Sequence, residues 1–209
     1  MVESEQRDFA DVLDSLDGIH CKIWTNLQLA ANTVRHGWYL PVLGTASNGL
    51  PELRTVVLRG VNYAQRQLLC HTDRRSPKVG SIGANPNVSW LFYDAESRVQ
   101  LRVRSTATLH FDDHPAESCW QGSRLESRRC YLAPEAPGLT KAHQTVNLPD
   151  DLRERPPTED EADRGRSNFA AIVATVRVID WLCLRSTGNL AARFVFDADG
   201  LAESTWLTP

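Results

Sequence analysis

The spacing of hydrophobic positions changes along the chain from a helical period to a strand period. Apolar residues recur every three or four positions between Phe9 and Leu16, and again between Ile23 and Val34. Asp17-Gly18 separates the two stretches and has the character of a helix end. The pattern predicts two amphipathic helices within residues 1–36.

Beyond residue 38 the pattern is that of β-strands separated by turn residues. Pro41 interrupts the first of them, and Asn48-Gly49 predicts a tight hairpin turn after it. The second and third strands form a predicted hairpin whose connection contains Gly60 and Asn62. The predicted strands cover residues 38–46, 54–59, 68–72, 88–93, 99–110, 169–184, 193–196 and 201–207.

Alternation is clearest in residues 99–110, where Leu101 and Val103 share one face. Gln100 therefore points to the other face, together with Arg102 and Arg104. This second face is a surface that faces solvent, an interface or a ligand pocket, and the pattern leaves the three open.

Helices are predicted between the strands. One opens at Ser76-Pro77, turns Val79 and Ile82 inward and stops at Gly83. Another runs through residues 114–132 with Asp112 or Asp113 as its cap. Residues 140–168 are polar and proline-bearing, which predicts a surface excursion with one short helix at the capping box of residues 158–161. The chain is therefore expected to be one α+β domain over residues 1–209, a small antiparallel β-barrel with N-terminal and peripheral helices.

Net charge, apolar runs and cysteine spacing argue against several classes of protein. The 209 residues carry a net charge of −3, which argues against a nucleic-acid partner. No apolar run approaches the roughly 20 residues of a membrane span, and the acidic N-terminus does not resemble a signal peptide, so a cytoplasmic protein without a membrane partner is expected. The five cysteines show no CxxC spacing, so neither a metal site nor a disulfide framework is predicted.

The candidate chemistry lies in the basic loop of residues 71–80, HTDRRSPKVG, and in Arg54 before it. Cations, hydroxyls and the free N–H groups of a helix start suit a phosphate group. The alternative is a solvated turn, and the loop taken alone favours that alternative.

Three motifs in order carry a resemblance to a known family: RTVVLRG at residues 54–60, the basic loop, and Gln100 in VQLRVRSTATLH. With the later WQGSRLESRRCYLAPEAPG and the closing WLTP, they resemble the pyridoxamine 5'-phosphate oxidase-like family of FMN-binding split barrels, from about Trp38 to the end. The resemblance implies an FMN cofactor whose phosphate is held by Arg54, Ser76 and Lys78. Pro77 stands where many members carry an arginine, so one phosphate contact is either missing or supplied by Arg74 or Arg75.

The resemblance also implies a homodimer with flavin sites at the interface. Gln100 would contact the pyrimidine edge of the ring, and Trp181 and Arg193 would come from the second subunit, although Trp181 is equally suited to the core. His71 would contribute its backbone. The complete set of predicted cofactor-binding residues is Arg54, Thr55, Val56, Val57, Arg59, His71, Thr72, Ser76, Pro77, Lys78, Gln100, Trp181 and Arg193.

Substrate recognition is implied less specifically. Trp120, Arg124 and Arg128 occupy the helix that binds the substrate phosphate in the vitamin oxidases, and a solvated basic helix is the alternative reading. Asn189 and Ala191 replace the arginine and histidine with which those oxidases engage pyridoxal. This difference favours the broad flavin-binding branch over a true pyridoxamine 5'-phosphate oxidase.

The expected function is an FMN-dependent oxidoreductase acting on a small molecule or a nicotinamide, with no catalytic side chain identified. Arg59 or Arg193 would stabilise the charge that develops on the ring. Three alternatives stay open: a flavin-binding or sensor protein without turnover, a barrel that binds a deazaflavin or haem, and pyridoxamine 5'-phosphate oxidase itself.

Overall fold

The computed structural model describes residues 8–209, and their helices and strands form an α+β fold, as the pattern predicts. The predicted helices over residues 1–36 lie partly outside the described residues. The helices are α1 (Leu16–Asn32), α2 (Pro77–Ala84), α3 (His114–Gln121), α4 (Leu125–Arg128) and α5 (Glu159–Asp163). The strands are β1 (Val42–Ser47), β2 (Leu50–Thr55), β3 (Gly60–Asn62), β4 (Gln67–Asp73), β5 (Asn87–Asp94), β6 (Val99–His110), β7 (Phe169–Cys183), β8 (Leu190–Phe196) and β9 (Leu201–Leu207).

All strand pairs are antiparallel, in the order β2-β1-β5-β6-β7-β4-β3, with β8 and β9 branching from β7. The branch arises because β7 is long. Its 169–175 half pairs with β4 and its 178–183 half pairs with β8, while β6 follows its other edge along the whole length. The sheet therefore divides into two arms that share β6 and β7.

Most of the predicted elements appear where they were expected. The β1–β2 turn has positive φ at both Asn48 (51°) and Gly49 (78°), as a twist-matched hairpin requires. Strand β6 buries alternate residues from Val99 onward and leaves Gln100 half-buried on the opposite face. In α5 the Thr158 and Glu161 side chains each accept a hydrogen bond from the other residue's backbone N–H, which confirms the capping box.

The N-terminal prediction is wrong in one respect. Residues 10–14 form a turn, and Asp17-Gly18 begin helix α1 instead of ending one. Ser15 caps α1 by accepting a hydrogen bond from the Gly18 N–H at 3.0 Å, which places Asp17 in the first turn, where a negative charge is favourable. Phe9 still reaches the core, where its ring lies 5.8 Å from that of Trp181.

The strand predicted for residues 54–59 is also wrong. Arg54 and Thr55 belong to β2, while Val56 and Leu58 donate backbone hydrogen bonds to Pro41 and Tyr39 outside any strand. The hairpin is instead β3–β4, and Gly60 lies within it because a Cβ there would come 3.2 Å from the Leu69 side chain. In the same region β1 begins at Val42, after Pro41, and not at residue 38.

The helix predicted over residues 114–132 is divided. Asp113 caps α3 as expected, but the helix ends at Gly122, and Arg124 then serves as the N-cap of the short helix α4. Helix α2 continues through the predicted stop at Gly83 to Ala84. Among residues 8–209 no helix is long and apolar enough to cross a membrane.

Candidate functional site

The turn between β4 and α2 brings together three predicted phosphate ligands. Thr72 lies near the end of β4, and Ser76 is the N-cap of α2 with Pro77 following it. The Ser76 hydroxyl caps no backbone N–H and instead accepts a hydrogen bond from Lys78 Nζ at 2.7 Å. Lys78 Nζ also donates to Thr72 Oγ1 at 3.0 Å. An ammonium, two hydroxyls and a helix start therefore converge at one point.

These three residues line a cavity of about 360 Å³, here called the cofactor pocket. Arg54 contributes to the same cavity, and so does the extended link that follows β2. The residues that line the cofactor pocket are Leu40, Arg54, Thr55, Val56, Val57, His71, Thr72, Asp73, Ser76, Lys78, Cys130, Tyr131 and Pro137.

Neither cation of the cofactor pocket is neutralised by an ion pair within residues 8–209. Arg54 Nη1 donates to Thr45 Oγ1 at 2.8 Å and to the Leu43 carbonyl at 3.2 Å. Burial, and secondly the charge of Arg54, lowers the pKa of Lys78, and burial also lowers the pKa of Arg54. Both shifts mean that burial disfavours the charged forms of Lys78 and Arg54, and a bound anion would stabilise those charged forms.

The donor set fits a phosphate monoester. Charged donors, a serine hydroxyl and the N-terminus of the eight-residue helix α2 each interact favourably with a dianion. The rest of the pocket wall includes Val56, Val57 and Leu40, which suit the uncharged part of a mononucleotide. The residues present therefore fit the phosphate end of FMN.

Arg74 and Arg75 do not supply the contact that Pro77 lacks. Arg74 Nη1 donates to Asp112 at 3.2 Å, and its guanidinium lies 4.8 Å from the centre of the Phe111 ring. Arg75 is paired with Asp73 at 2.6 Å, and this hydrogen bond raises the pKa of Arg75. Both guanidinium groups are thus engaged with carboxylates, and neither lines the cofactor pocket.

His71 lies on the wall between the cofactor pocket and a second cavity. Its ring packs edge-on against Phe169, with ring centres 4.9 Å apart. Burial, and secondly the neighbouring charge of Arg59, lowers the pKa of His71 to about 4, so the imidazole is neutral at pH 7. The backbone of His71 lies in β4, opposite Ala171 of β7, and its predicted contact with the flavin stays a prediction.

The second cavity has a volume of about 350 Å³ and is here called the basic cavity. Arg59 and Arg124 line it together with the hydroxyls of Ser123 and Ser127. Arg59 was predicted to contact the cofactor, but it lines this cavity and not the cofactor pocket. Two guanidinium groups and two hydroxyls suit a small anion next to the cofactor.

Trp120 and Arg128, the other predicted substrate residues, do not line either cavity. Trp120 is buried, with its indole N–H donating to Asp163 at 3.2 Å. Arg128 is buried as well, stacks 5.0 Å from the centre of the Trp120 indole and donates to the Gln121 carbonyl at 3.0 Å. Both side chains therefore stabilise the packing of α3, α4 and α5, and only Arg124 faces a cavity.

Gln100 and Arg193 lie on the outer face of the sheet and do not line the cofactor pocket. Arg193 belongs to a group called here the sheet-face cluster, which comprises Arg102, Arg104, Asp180 and Arg193. Asp180 accepts hydrogen bonds from Arg193 Nε at 2.6 Å and from Arg102 Nη2 at 3.3 Å, and Arg104 lies 4.0 Å away. The cluster lines a cavity of about 540 Å³ together with Val42, Leu53 and Leu91.

Trp181 is in the hydrophobic core, the alternative that the sequence left open. Only 1% of the residue is exposed, and it packs against Phe9 on the inner face of the sheet. Its side chain is therefore not exposed on the outer face of this protomer.

The sequence reasoning did not identify Asp180, on which the sheet-face cluster depends. A signal was present, because Asp180 is the one carboxylate in the predicted strand 169–184. A carboxylate in such a strand needs a cationic partner, and the alternation of residues 99–110 had already put Arg102 and Arg104 on one face.

Comparisons with known proteins agree with this geometry. Residues 23–111 match the family described as "Pyridoxamine 5'-phosphate oxidase, FMN-binding domain". The pyridoxine/pyridoxamine 5'-phosphate oxidase 2 of Arabidopsis thaliana is 26% identical over 204 residues, covering 90% of this chain and 96% of the relative. The pyridoxine/pyridoxamine 5'-phosphate oxidase of Rubrobacter xylanophilus is 41% identical over 78 residues, 35% of each chain.

Solved structures share the fold. A pyridoxamine 5'-phosphate oxidase-related, FMN-binding protein from Nostoc punctiforme superposes with a TM-score of 0.69 at 23% identity, covering 88% of this chain and 93% of that one. PhzG from Burkholderia lata, solved with tetrahydrophenazine-1-carboxylic acid, superposes with a TM-score of 0.67 at 15% identity, covering 91% of each chain. At these identities the likeness establishes the split-barrel architecture.

The expected cofactor, FMN, is the one that the matched domain binds. Residues 23–111 thus match the FMN-binding domain of the pyridoxamine 5'-phosphate oxidase family, and the rest of the chain is similar in fold to FMN-binding split barrels.

Proposed function

We propose that this protein is an FMN-dependent oxidoreductase that acts as a homodimer on a small anionic substrate. The observation that carries the proposal is the cofactor pocket, in which Lys78 and Arg54 face hydroxyls and carbonyls but no carboxylate partner. Bound FMN supplies the redox chemistry by accepting a hydride and passing electrons on. The side chains bind and orient the two ligands and stabilise charge.

The homodimer follows from the positions of Gln100 and Arg193. Both residues lie on the outer face of the sheet, whereas the phosphate ligands lie in the cofactor pocket. A single protomer therefore does not bring the two groups to one ligand. A second copy related by a two-fold axis would place its Gln100 and Arg193 against the first copy's pocket, and the reverse, which creates two equivalent sites.

The outer face has the character of an interface. Leu53, Leu91 and Tyr93 are exposed there, at 69%, 39% and 47%. A partner sheet would cover these side chains together with the cavity at the sheet-face cluster. Arg193 would then contribute positive charge to the partner's flavin.

The substrate class follows from the basic cavity. Arg59 and Arg124 would bind a phosphate or carboxylate, and His71 separates that anion from the cofactor pocket. Because the His71 imidazole is neutral, it adds no charge of its own and serves as a polar wall for a substrate that reaches towards the flavin.

Pyridoxamine 5'-phosphate oxidase is the second candidate. It is favoured by the two relatives that carry this name and by the basic cavity, which suits a phosphorylated substrate. Asn189 and Ala191 argue against it, because neither supplies the cation expected in the terminal segment. Formation of pyridoxal 5'-phosphate from pyridoxine or pyridoxamine 5'-phosphate in air would establish it.

Reduction of the FMN-loaded protein by NADH or NADPH without oxygen, followed by admission of air, tests for turnover. An oxidoreductase is bleached by a nicotinamide or a substrate and regains its colour in air. A protein that keeps oxidised FMN with both nicotinamides and with the phosphorylated vitamers would instead be a flavin-binding or sensor protein.

A further inference from the structure

Residues 135–147 form a loop, called here the pocket loop, beside the phosphate end of the cofactor pocket. Pro137 lines that pocket together with Ser76 and Lys78. Gly138 follows with a φ of +88°, a conformation that favours glycine, and a Cβ there would lie 3.5 Å from Pro77 Cγ. The loop therefore packs onto the first residue of α2.

The start of the pocket loop is fixed to the turn that presents the phosphate ligands. Arg75 Nη2 donates to the Ala133 carbonyl at 2.9 Å and to Asp73 Oδ2 at 2.6 Å. Arg75 Nε also donates to Asp73 Oδ1 at 3.0 Å. One guanidinium thus joins the residues before the loop to the β4–α2 turn.

The base of the loop is closed by Asn147. Its Nδ2 donates to the Glu135 carbonyl at 2.8 Å, and its Oδ1 accepts from the Glu135 N–H at 3.2 Å. Lys141 adds an ion pair to the Glu135 carboxylate. Beyond the loop, Leu152 is buried, and its carbonyl accepts from Arg129 at 3.3 Å.

The tip of the pocket loop has no comparable support. Leu139 is exposed at 58%, and residues 139–145 are all exposed. The position of Pro137 over the pocket therefore depends on the base of the loop, where one carboxamide makes both backbone hydrogen bonds.

We propose that Asn147 is a positioning residue for the cofactor, which holds the pocket loop over the phosphate end and thereby sets how slowly FMN leaves. The proposal rests on the assignment of the cofactor pocket to the FMN phosphate. It also explains how the phosphate is retained although Pro77 offers neither a side-chain cation nor a backbone N–H. Arg74 and Arg75 cannot replace that contact, because both are engaged with carboxylates. Closure by the loop supplies the retention that a further cation would otherwise provide.

The test is the rate of FMN release from Asn147→Ala, followed by the rise of free-flavin fluorescence after dilution far below the dissociation constant. We expect release to be about tenfold faster, the equivalent of about 1.4 kcal/mol, because two hydrogen bonds at the base are lost. Association should not be slower, and the melting temperature of the apoprotein should stay unchanged. A variant that only damages the fold would show slower uptake and a lower melting temperature.

Asn62→Ala is the matched control. Asn62 likewise uses both ends of its carboxamide, on Gln65, to close an exposed turn, but it lies in the β3–β4 turn and not beside the pocket. Its FMN release should match the wild type. Equal acceleration in both variants, or none in Asn147→Ala, would overturn the proposal.

Lys141→Ala removes the ion pair with Glu135 at the base of the loop. It serves as the test variant if Asn147→Ala does not fold. Because the ion pair is exposed, we expect release about twofold faster. Tryptic cleavage at Lys141 provides a readout without turnover: FMN should protect the wild type and protect Asn147→Ala less. A wild type that takes up no FMN would overturn the pocket assignment together with the loop proposal, whereas uptake with unchanged release rates and unchanged cleavage overturns the loop proposal alone.

Discussion

The cofactor pocket and the sheet-face cluster both gather cations, but only in the sheet-face cluster does a carboxylate bond directly to them, since Asp73 of the cofactor pocket is paired with Arg75. Asp180 accepts from Arg193 and Arg102 and lies 4.0 Å from Arg104. In the cofactor pocket, Lys78 bonds to two hydroxyls and Arg54 to a hydroxyl and a carbonyl. The number of cations therefore does not distinguish an anion site from a structural ion-pair cluster, whereas the absence of a carboxylate partner does.

The largest expected effect comes from Lys78→Ala. Loss of a charged donor to the phosphate should weaken FMN binding by about 3 kcal/mol, or on the order of 150-fold. Fluorescence titration of the apoprotein measures this, with Lys22→Ala as the lysine control, since Lys22 of α1 pairs with Asp11 and does not line the cofactor pocket. Riboflavin, which has no phosphate, should bind wild type and Lys78→Ala alike, and an equal penalty for both flavins would contradict the phosphate assignment.

The burial of His71, and secondly the charge of Arg59, also predicts a pH dependence. The pKa of His71 in the folded state is about 4, below the ordinary histidine value of 6.5, so its contribution to stability is complete above pH 6.5 and is lost as the pH falls towards 4. Between pH 7 and 4.5 we expect about 2 kcal/mol of the free energy of unfolding to be lost through this group. Urea unfolding of apo wild type and His71→Phe should give curves that converge towards acid pH, and parallel curves would contradict the assignment.

Asp180→Asn tests the sheet-face cluster by removing the negative charge and leaving three arginines together. We expect dimer dissociation to become about tenfold easier, most strongly at low salt, because the arginines then repel each other across a partly covered face. Sedimentation across a dilution series measures this. FMN should be released only as the dimer dissociates, and a monomer that keeps its FMN would contradict the shared site.

The smallest effect is expected for Arg124→Ala. Arg124 is exposed at the rim of the basic cavity, so its loss should weaken inorganic phosphate or substrate binding about fivefold. FMN affinity should be unchanged, because Arg124 does not line the cofactor pocket. Titration with inorganic phosphate, followed through a signal of the protein, measures this. The same titration of Arg164→Ala, which removes an exposed arginine outside the cavity, separates the loss of a local contact from the effect of a changed net charge.

Much of the fold was predictable because its signals are local. The Asn48-Gly49 turn, the alternation of residues 99–110 and the capping box at Thr158 each depend on residues close in sequence. The failures arose where tertiary contacts decide. Residues 56–59 have strand propensity, but their backbone bonds go to residues 39 and 41, which no local pattern reveals.

The candidate site divides in the same way. Ser76, Lys78 and Thr72 lie within seven residues, so one turn brings them together and the sequence motif sufficed to predict it. Arg59 and Arg124 line one cavity only because the link before β3 and the α3–α4 break border it. The burial of Trp120 and Arg128 goes with their contacts to Asp163 of α5. These pairings depend on how distant segments pack, which spacing alone does not encode.

The measurement that tests the central claim most directly is the absorption spectrum of the purified protein, followed by chromatography of the compound that acid releases. The account predicts a yellow protein with two visible bands that releases FMN at about one per chain, as two sites per homodimer require. A colourless protein that also fails to take up added FMN would contradict it, because the unpaired cations of the cofactor pocket would then hold no phosphate.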